Sequence, residues 1–214
     1  MGVGPVRRPR APRVASPMSF QTLLADNVLV QWLTGNRRRY DLAVSMAGVK
    51  LGERFVQLGC GDGGLLAALG AKVGYTGRAC GVDDDASVAR RAEQAVESAG
   101  VLAEVSASSY ARLPYDDEAF DLAVVWRAGA LASDPAFGAA LEEVRRVLRP
   151  GGRCLVVATA PAPGLTGALA RARGHAGGPP ADGSVDALRA HAFRGAHVLA
   201  VRDGYSFVEA MKAR

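Results

Sequence analysis

Apolar residues in this chain fall into short continuous runs, separated by longer stretches in which they recur every three or four positions. Dense short runs suit strands buried on both faces of a parallel sheet, and the three-and-four spacing marks helices. Strands are predicted at 54–58, 79–82, 101–105, 120–126 and 153–158. Helices are predicted between them at about 62–72, at 86–99 and from Asp134-Pro135 to Pro150. Asp85 suits the cap of the 86–99 helix and Gly100 its stop; Asp134 before Pro135 has the order of a helix start. A short helix is expected at 186–192. The last two runs, 196–201 and 205–210, are joined by Arg202-Asp203-Gly204, whose Asp-Gly pair signals a hairpin. The expected fold is α/β: a mixed seven-stranded sheet with helices on both faces and a C-terminal antiparallel hairpin.

Two stretches fit this alternation less well. Residues 19–47 show helical spacing broken at Gly35-Asn36, and read as two short helices forming an N-terminal cap within 18–50. Arg37, Arg38 and Arg39 lie either in solvent or over the cleft, where they could meet an anionic substrate. Residues 159–183 are punctuated by Gly and Pro around a weak helical piece at 165–173. A connection of that length is either functional or mobile, and is expected on the substrate side of the site.

Composition narrows the class. The chain has 214 residues, 49% of them hydrophobic and 22% charged, with no apolar run of membrane-spanning length. Its net charge of +5 is mostly local, because residues 1–17 carry Arg7, Arg8, Arg10 and Arg13 and no acid. This Pro- and Arg-rich start is expected to be a disordered basic tail, with no apolar core of the secretory kind. A nucleic-acid-associated role through the tail is an alternative, but nucleic acid is not the expected partner. Cys60, Cys80 and Cys154 are too few and too widely spaced for a disulfide scaffold or metal knuckle. They read as small buried residues in a reducing, cytoplasmic setting, and no metal is expected. The three histidines form no ligand pattern.

The chemistry starts at Val56-Gln57-Leu58-Gly59-Cys60-Gly61-Asp62-Gly63-Gly64. A strand, a glycine turn and a helix start bring backbone N–H groups close to a ligand, because no Cβ stands in the way. The second strand ends in Asp83-Asp84-Asp85, with Asp83 24 residues after Gly59. That separation suits one strand–helix–strand unit, and an acid there can accept both hydroxyls of a ribose.

Four segments carry a family resemblance: residues 56–63; Gly81-Val82-Asp83; Leu113-Pro114-Tyr115-Asp116-Asp117-Glu118-Ala119-Phe120-Asp121; and Glu143-Val144-Arg145-Arg146-Val147-Leu148-Arg149-Pro150-Gly151-Gly152. In this order the chain resembles the class I S-adenosylmethionine-dependent methyltransferases, in particular a small quinone-biosynthesis-like subgroup. The resemblance implies a Rossmann-like fold, with residues 18–214 one methyltransferase-like domain. It implies S-adenosylmethionine as cofactor and methyl transfer to a small organic acceptor, with a cofactor-binding but inactive or regulatory protein as the alternative.

By the same resemblance, Gly59 and Gly61 would pack against the cofactor's methionine portion, and Asp83 would hold its ribose. Ser108, Ser109 and Tyr110 would lie along the adenine, and Trp126 and Arg127 would border the methyl group. Gln57, Cys60 and Asp84 complete the expected cofactor set. Gln57 stands where the family commonly has an acid, and Ser109 where it often has an aspartate; both changes remove charge from hydrogen bonds to the cofactor. No catalytic base is identified. His175, Tyr40 and Tyr110 are candidates, and the oligomeric state is open.

Overall fold

A computed structural model describes Met1 and residues 40–126, 136–159 and 181–214. Its elements run α1 (40–47), β1 (Arg54–Leu58), α2 (Gly64–Val73), β2 (Arg78–Asp83), α3 (Ala86–Ser98), β3 (Glu104–Ala107) and β4 (Phe120–Trp126). They continue as α4 (Ala136–Val147), β5 (Leu148–Thr159), α5 (Ala181–Ala190), β6 (Phe193–Arg202) and β7 (Tyr205–Lys212). The seven strands form one sheet in the order β3-β2-β1-β4-β5-β7-β6. The first five are parallel, and β7 lies antiparallel between β5 and β6. This is the mixed sheet with a terminal hairpin that the apolar pattern predicts.

The pleat sorts the core into two layers. Val56, Leu58, Val82, Ala123, Val125 and Val156 face Leu141 and Val144 of α4 and Leu188 of α5. Phe55, Ala79, Leu122, Val124 and Leu155 face the other way, toward Tyr40 and Ala43 of α1, Leu65 and Leu69 of α2, and Val96 of α3. Helices therefore cover both faces, and the continuous apolar runs are explained by burial on each side.

Several boundaries differ from the expectation. β3 starts at Glu104, not at 101, because the Val101 N–H closes α3 by donating to Val96 O at 3.0 Å. α4 ends at Val147, and Pro150-Gly151-Gly152 lies inside β5. The register shift there, from Phe120↔Leu148 to Leu122↔Arg153, absorbs the Pro-Gly-Gly run. β6 starts earlier, at Phe193, and β7 runs on to Lys212. α2 starts at Gly64 rather than near 62. α5 runs from Ala181 to Ala190, so it starts within the stretch read as a loose connection and ends before 192. Ala192 has φ +61°, which no helix continues through. The Asp85 cap is found, accepting from the Ser87 N–H at 2.7 Å. Asp203 and Gly204, both at positive φ, make the hairpin turn. The predicted cap at Asp134, the helices before residue 40 and the weak piece at 165–173 lie outside the described residues.

Candidate functional site

β1 has β2 on one side and β4 on the other, so the sheet changes direction beside the glycine run. A crevice opens at such a switch point, at the carboxyl ends of the strands. The loop leaving β1 is pinned from several directions. Gly59 N–H donates to Val82 O at 3.0 Å, and Gly63 N–H to Cys60 O at 3.0 Å. Gly59 has φ +81°, and a Cβ on it would lie 2.8 Å from the Trp126 carbonyl oxygen, so the end of β4 closes that side. Gly61 has φ +58°, and a Cβ there would meet nothing within 4 Å. The loop is thus packed at its base and open at its crest.

Asp83, nearly buried at the end of β2, joins three segments. Its Oδ2 accepts from Cys60 N–H at 2.8 Å and its Oδ1 from Asp85 N–H at 3.2 Å. Its carbonyl accepts from Ser108 N–H at 3.0 Å. Burial, helped by the Asp83 charge, pushes the Cys60 thiol up to about 12, so it remains protonated and is no nucleophile at neutral pH. Burial first, then the charges of Asp83 and Asp84, also raise the Tyr110 hydroxyl. That hydroxyl lies against the Asp84 backbone N–H. A phenol held neutral in this way is poorly suited to act as a base. The Ser108 hydroxyl donates to Arg112 O at 3.0 Å, and the Ser109 hydroxyl accepts from Ala111 N–H at 3.3 Å. Both therefore order their own loop.

Gln57 is fully buried beneath the loop. Its Nε2 donates to Gly59 O at 2.8 Å, while Oε1 has no partner among the described residues. The orientation follows from chemistry, since a carbonyl can only accept. A buried acceptor without a donor is costly and calls for an explanation.

Trp126 ends β4 within an aromatic cluster. Tyr40 meets it edge-on, with ring centroids 5.6 Å apart, and Tyr205 stacks on it at 5.4 Å. The Tyr40 hydroxyl donates to Asp62 Oδ1 at 2.6 Å, and the same oxygen accepts from Gly64 N–H at 3.0 Å. A side chain of α1 thus holds the loop and the first turn of α2. Sequence reading missed Asp62 and Tyr205. Asp62 carried a signal, standing just before two glycines where its carboxylate can cap α2. Tyr205 carried none, because only the antiparallel insertion of β7 pairs it with Thr159 at the end of β5.

The structure therefore gathers Gln57, Gly59, Cys60, Gly61, Asp83, Asp84, Ser108, Ser109, Tyr110 and Trp126 around one end of the sheet. Arg37, Arg38, Arg39, Arg127 and His175 lie outside the described residues. His191 and His197 belong to the region of α5 and β6. Among the described residues no group of three or more His, Cys, Asp or Glu could hold a metal ion.

Residues 55–152 match a family described as a methyltransferase domain. The chain is 32% identical over 114 residues to the ubiquinone/menaquinone biosynthesis C-methyltransferase UbiE of Cupriavidus necator, covering 53% of this chain and 46% of that protein. It is 29% identical over 133 residues to the 2-phytyl-1,4-naphtoquinone methyltransferase of Trichormus variabilis, covering 60% and 57%. The chain thus spans about half the length of these curated relatives. A SAM-dependent methyltransferase from Aquifex aeolicus superposes with a TM-score of 0.66 at 20% identity, over 90% of this chain and 97% of that one. The [4+2]-cyclase SpnF superposes with a TM-score of 0.65 at 19% identity, over 82% and 80%.

Proposed function

We propose that the chain is a class I S-adenosylmethionine-dependent methyltransferase, transferring a methyl group from that cofactor to a small organic acceptor. The observation that carries this reading is the open crest of the glycine loop. Among the described residues no atom fills the side-chain position of Gly61, and Gln57 Oε1, without a partner there, stands with the Asp83 carboxylate at the loop's base. This donor and acceptor set fits the cofactor. Gln57 Oε1 would accept from its ammonium group. Each Asp83 oxygen has a further lone pair for a ribose hydroxyl beyond the backbone N–H it already accepts. Ser108, Ser109 and Tyr110 would border the adenine, with Asp84 and Cys60 contributing backbone to the same wall.

The cofactor supplies a methyl group already activated on sulfur. The chain's own residues then have to align the acceptor and exclude water. Trp126 and Tyr205 would form the apolar side of the acceptor pocket, with Tyr40 closing it from α1. With Cys60 and Tyr110 held protonated, the acceptor is taken to reach its nucleophilic form without a base from these two. The names of the curated relatives favour a quinone-type acceptor. Three unpaired, buried cysteines favour a cytoplasmic setting. Among the described residues no helix is long and apolar enough to cross a membrane.

The second reading, cofactor binding without turnover, rests on Gln57, whose neutral amide forgoes the charge-assisted bond an acid would make. Calorimetric titration with S-adenosylmethionine tests the first premise. Saturable binding is expected, and it should be lost in Asp83→Ala while circular dichroism shows the fold retained. An intact protein that fails to bind the cofactor sinks the proposal. Production of S-adenosylhomocysteine with a panel of quinols then separates turnover from binding alone.

A further inference from the structure

A second hollow lies at the opposite end of the sheet, where the parallel strands begin. Register puts it there: Phe193 of β6 pairs with Lys212 of β7, and the neighbouring Met211 pairs with Arg153 near the start of β5's regular pairing with β4. The hollow has a volume of about 360 Å³ and is lined by Arg145, Ala192, Phe193, Arg194, Lys212 and Ala213. Its three cations come from three elements: the last turn of α4, the start of β6 and the end of β7. Among the described residues no carboxylate lines it.

The cations differ in their commitments. Lys212 Nζ donates to Leu148 O at 2.7 Å and lies 3.7 Å from Glu118 Oε1, so it is fixed by the fold. Arg145 and Arg194 are exposed and have no hydrogen-bond or ion-pair partner among the described residues. Two free guanidinium forks beside a fixed ammonium suit the oxygens of a compact multiply charged anion. The buried Phe193 and the αL turn at Ala192 give the hollow a rigid wall. The hollow has room for one phosphoryl group.

We propose that this hollow binds a phosphoryl group, as free phosphate or as the phosphate of a small organic ester, independently of the cofactor cleft. The proposal does not depend on the function argued above. Calorimetry at 0.15 M NaCl, a concentration that screens loose surface attraction, would titrate inorganic phosphate and glycerol phosphate into the full chain. Amide NMR on labelled protein would locate the site. Saturable binding of at least one probe is expected, with shifts at Phe193, Arg194 and Lys212. Tighter binding of the ester assigns an organic phosphate, and tighter binding of the free ion assigns phosphate itself. Arg145→Gln combined with Arg194→Gln should weaken binding about tenfold or more, and Asp83→Ala should leave it unchanged. Absence of saturable binding, equal binding by the double variant, or capture only of a nucleic-acid oligomer would overturn the proposal. Both substituted side chains are exposed and unpaired, so loss of folding is not expected to obscure the result.

Discussion

At Gln57 the two ends of one amide have unequal fates: the nitrogen is satisfied by Gly59 O, and the oxygen is buried with nothing to accept. Gln57→Glu reverses the balance. Without ligand, a carboxylate would face the Gly59 carbonyl in a site with no solvent, costing more than the ~1–3 kcal/mol of an uncharged group left without a partner. With the cofactor's ammonium present, the same charge would gain a partner. The expected outcome is a lower melting temperature for the free variant and a larger stabilisation by S-adenosylmethionine than in the wild type. Thermal scans with and without cofactor measure both, and a smaller ligand-induced shift in the variant would count against the role given to Gln57. The glycines offer a second contrast. Gly61→Ala meets no atom, so its cost is the positive φ alone, about 1–2 kcal/mol. It should fold and bind the cofactor less tightly. Gly59→Ala adds a contact of 2.8 Å with the Trp126 carbonyl, so the loop or β4 must shift and the fold should suffer more. Equal melting temperatures for the two variants would contradict this account of the loop. The glycine run and Asp83 were legible from their spacing, while Ser108, Ser109, Tyr110 and Trp126 followed only from the family resemblance. Asp62 and Tyr205 came from neither, since one acts through a partner on α1 and the other through a strand inserted from the end of the chain.

Among the elements, the two later motif segments brace the site without lining it. Arg146 of α4 makes two bonds to the Glu143 carboxylate, at 2.8 Å each, and one to Asp117 Oδ1 at 2.7 Å. It also donates to the carbonyls of Tyr115 at 2.8 Å and Leu113 at 3.1 Å. Glu143 Oε2 in turn accepts from Leu113 N–H at 2.7 Å. The loop entering β4 is thereby tied to the helix leaving it. Arg146→Ala would strand two carbonyls and two carboxylates that remain partly solvated, so a loss of about 1–3 kcal/mol is expected. Urea unfolding measures it. Hydrogen exchange should quicken at Leu113 and Glu118, whose N–H groups this corner holds; unchanged protection there would contradict the bracing role. Strand and helix identities were readable from apolar run length, but their ends were not. Pro150-Gly151-Gly152 has the look of a terminator, yet it joins β5 because an irregular register accommodates it. Ala181–Val185 has weak helical spacing and folds as helix because Ser184, Val185 and Leu188 find a buried face on the sheet. Tertiary packing decides such cases, and a local pattern does not contain it.

Over the whole molecule, the proposed cofactor site and a set of structural ion pairs occupy opposite ends of the sheet. The glycine loop, Asp83 and the aromatic cluster lie where the parallel strands finish. Where they begin, Asp121 accepts from the Arg54 N–H at 2.7 Å and pairs with Arg149, and Arg153 pairs with Glu209 at 3.2 Å. Asp121 and Glu143 are expected to make the fold sensitive to acid. Hydrogen bonding to Arg146 is the main cause holding Glu143 below its ordinary value of 4.5. Burial pushes Asp121 up, but bonds from the Arg54 backbone and Arg149 outweigh it and leave it below 3.8. Glu104 is lowered chiefly by Arg78, but both side chains are well exposed and the pair adds little. A group whose folded value is depressed stabilises fully above its unfolded value and loses that contribution as pH falls through the folded one. The urea midpoint should therefore be insensitive to these groups from neutral pH down to about 5, then fall as the solution passes below 4.5. Glu143→Gln keeps an acceptor for Leu113 N–H but cannot titrate, so it should start less stable at neutral pH and lose less on acidification. The two curves should converge in acid. If the variant lost as much midpoint as the wild type between neutral pH and 3, the acid sensitivity would have to come from elsewhere, and the Arg146 corner would not be its source.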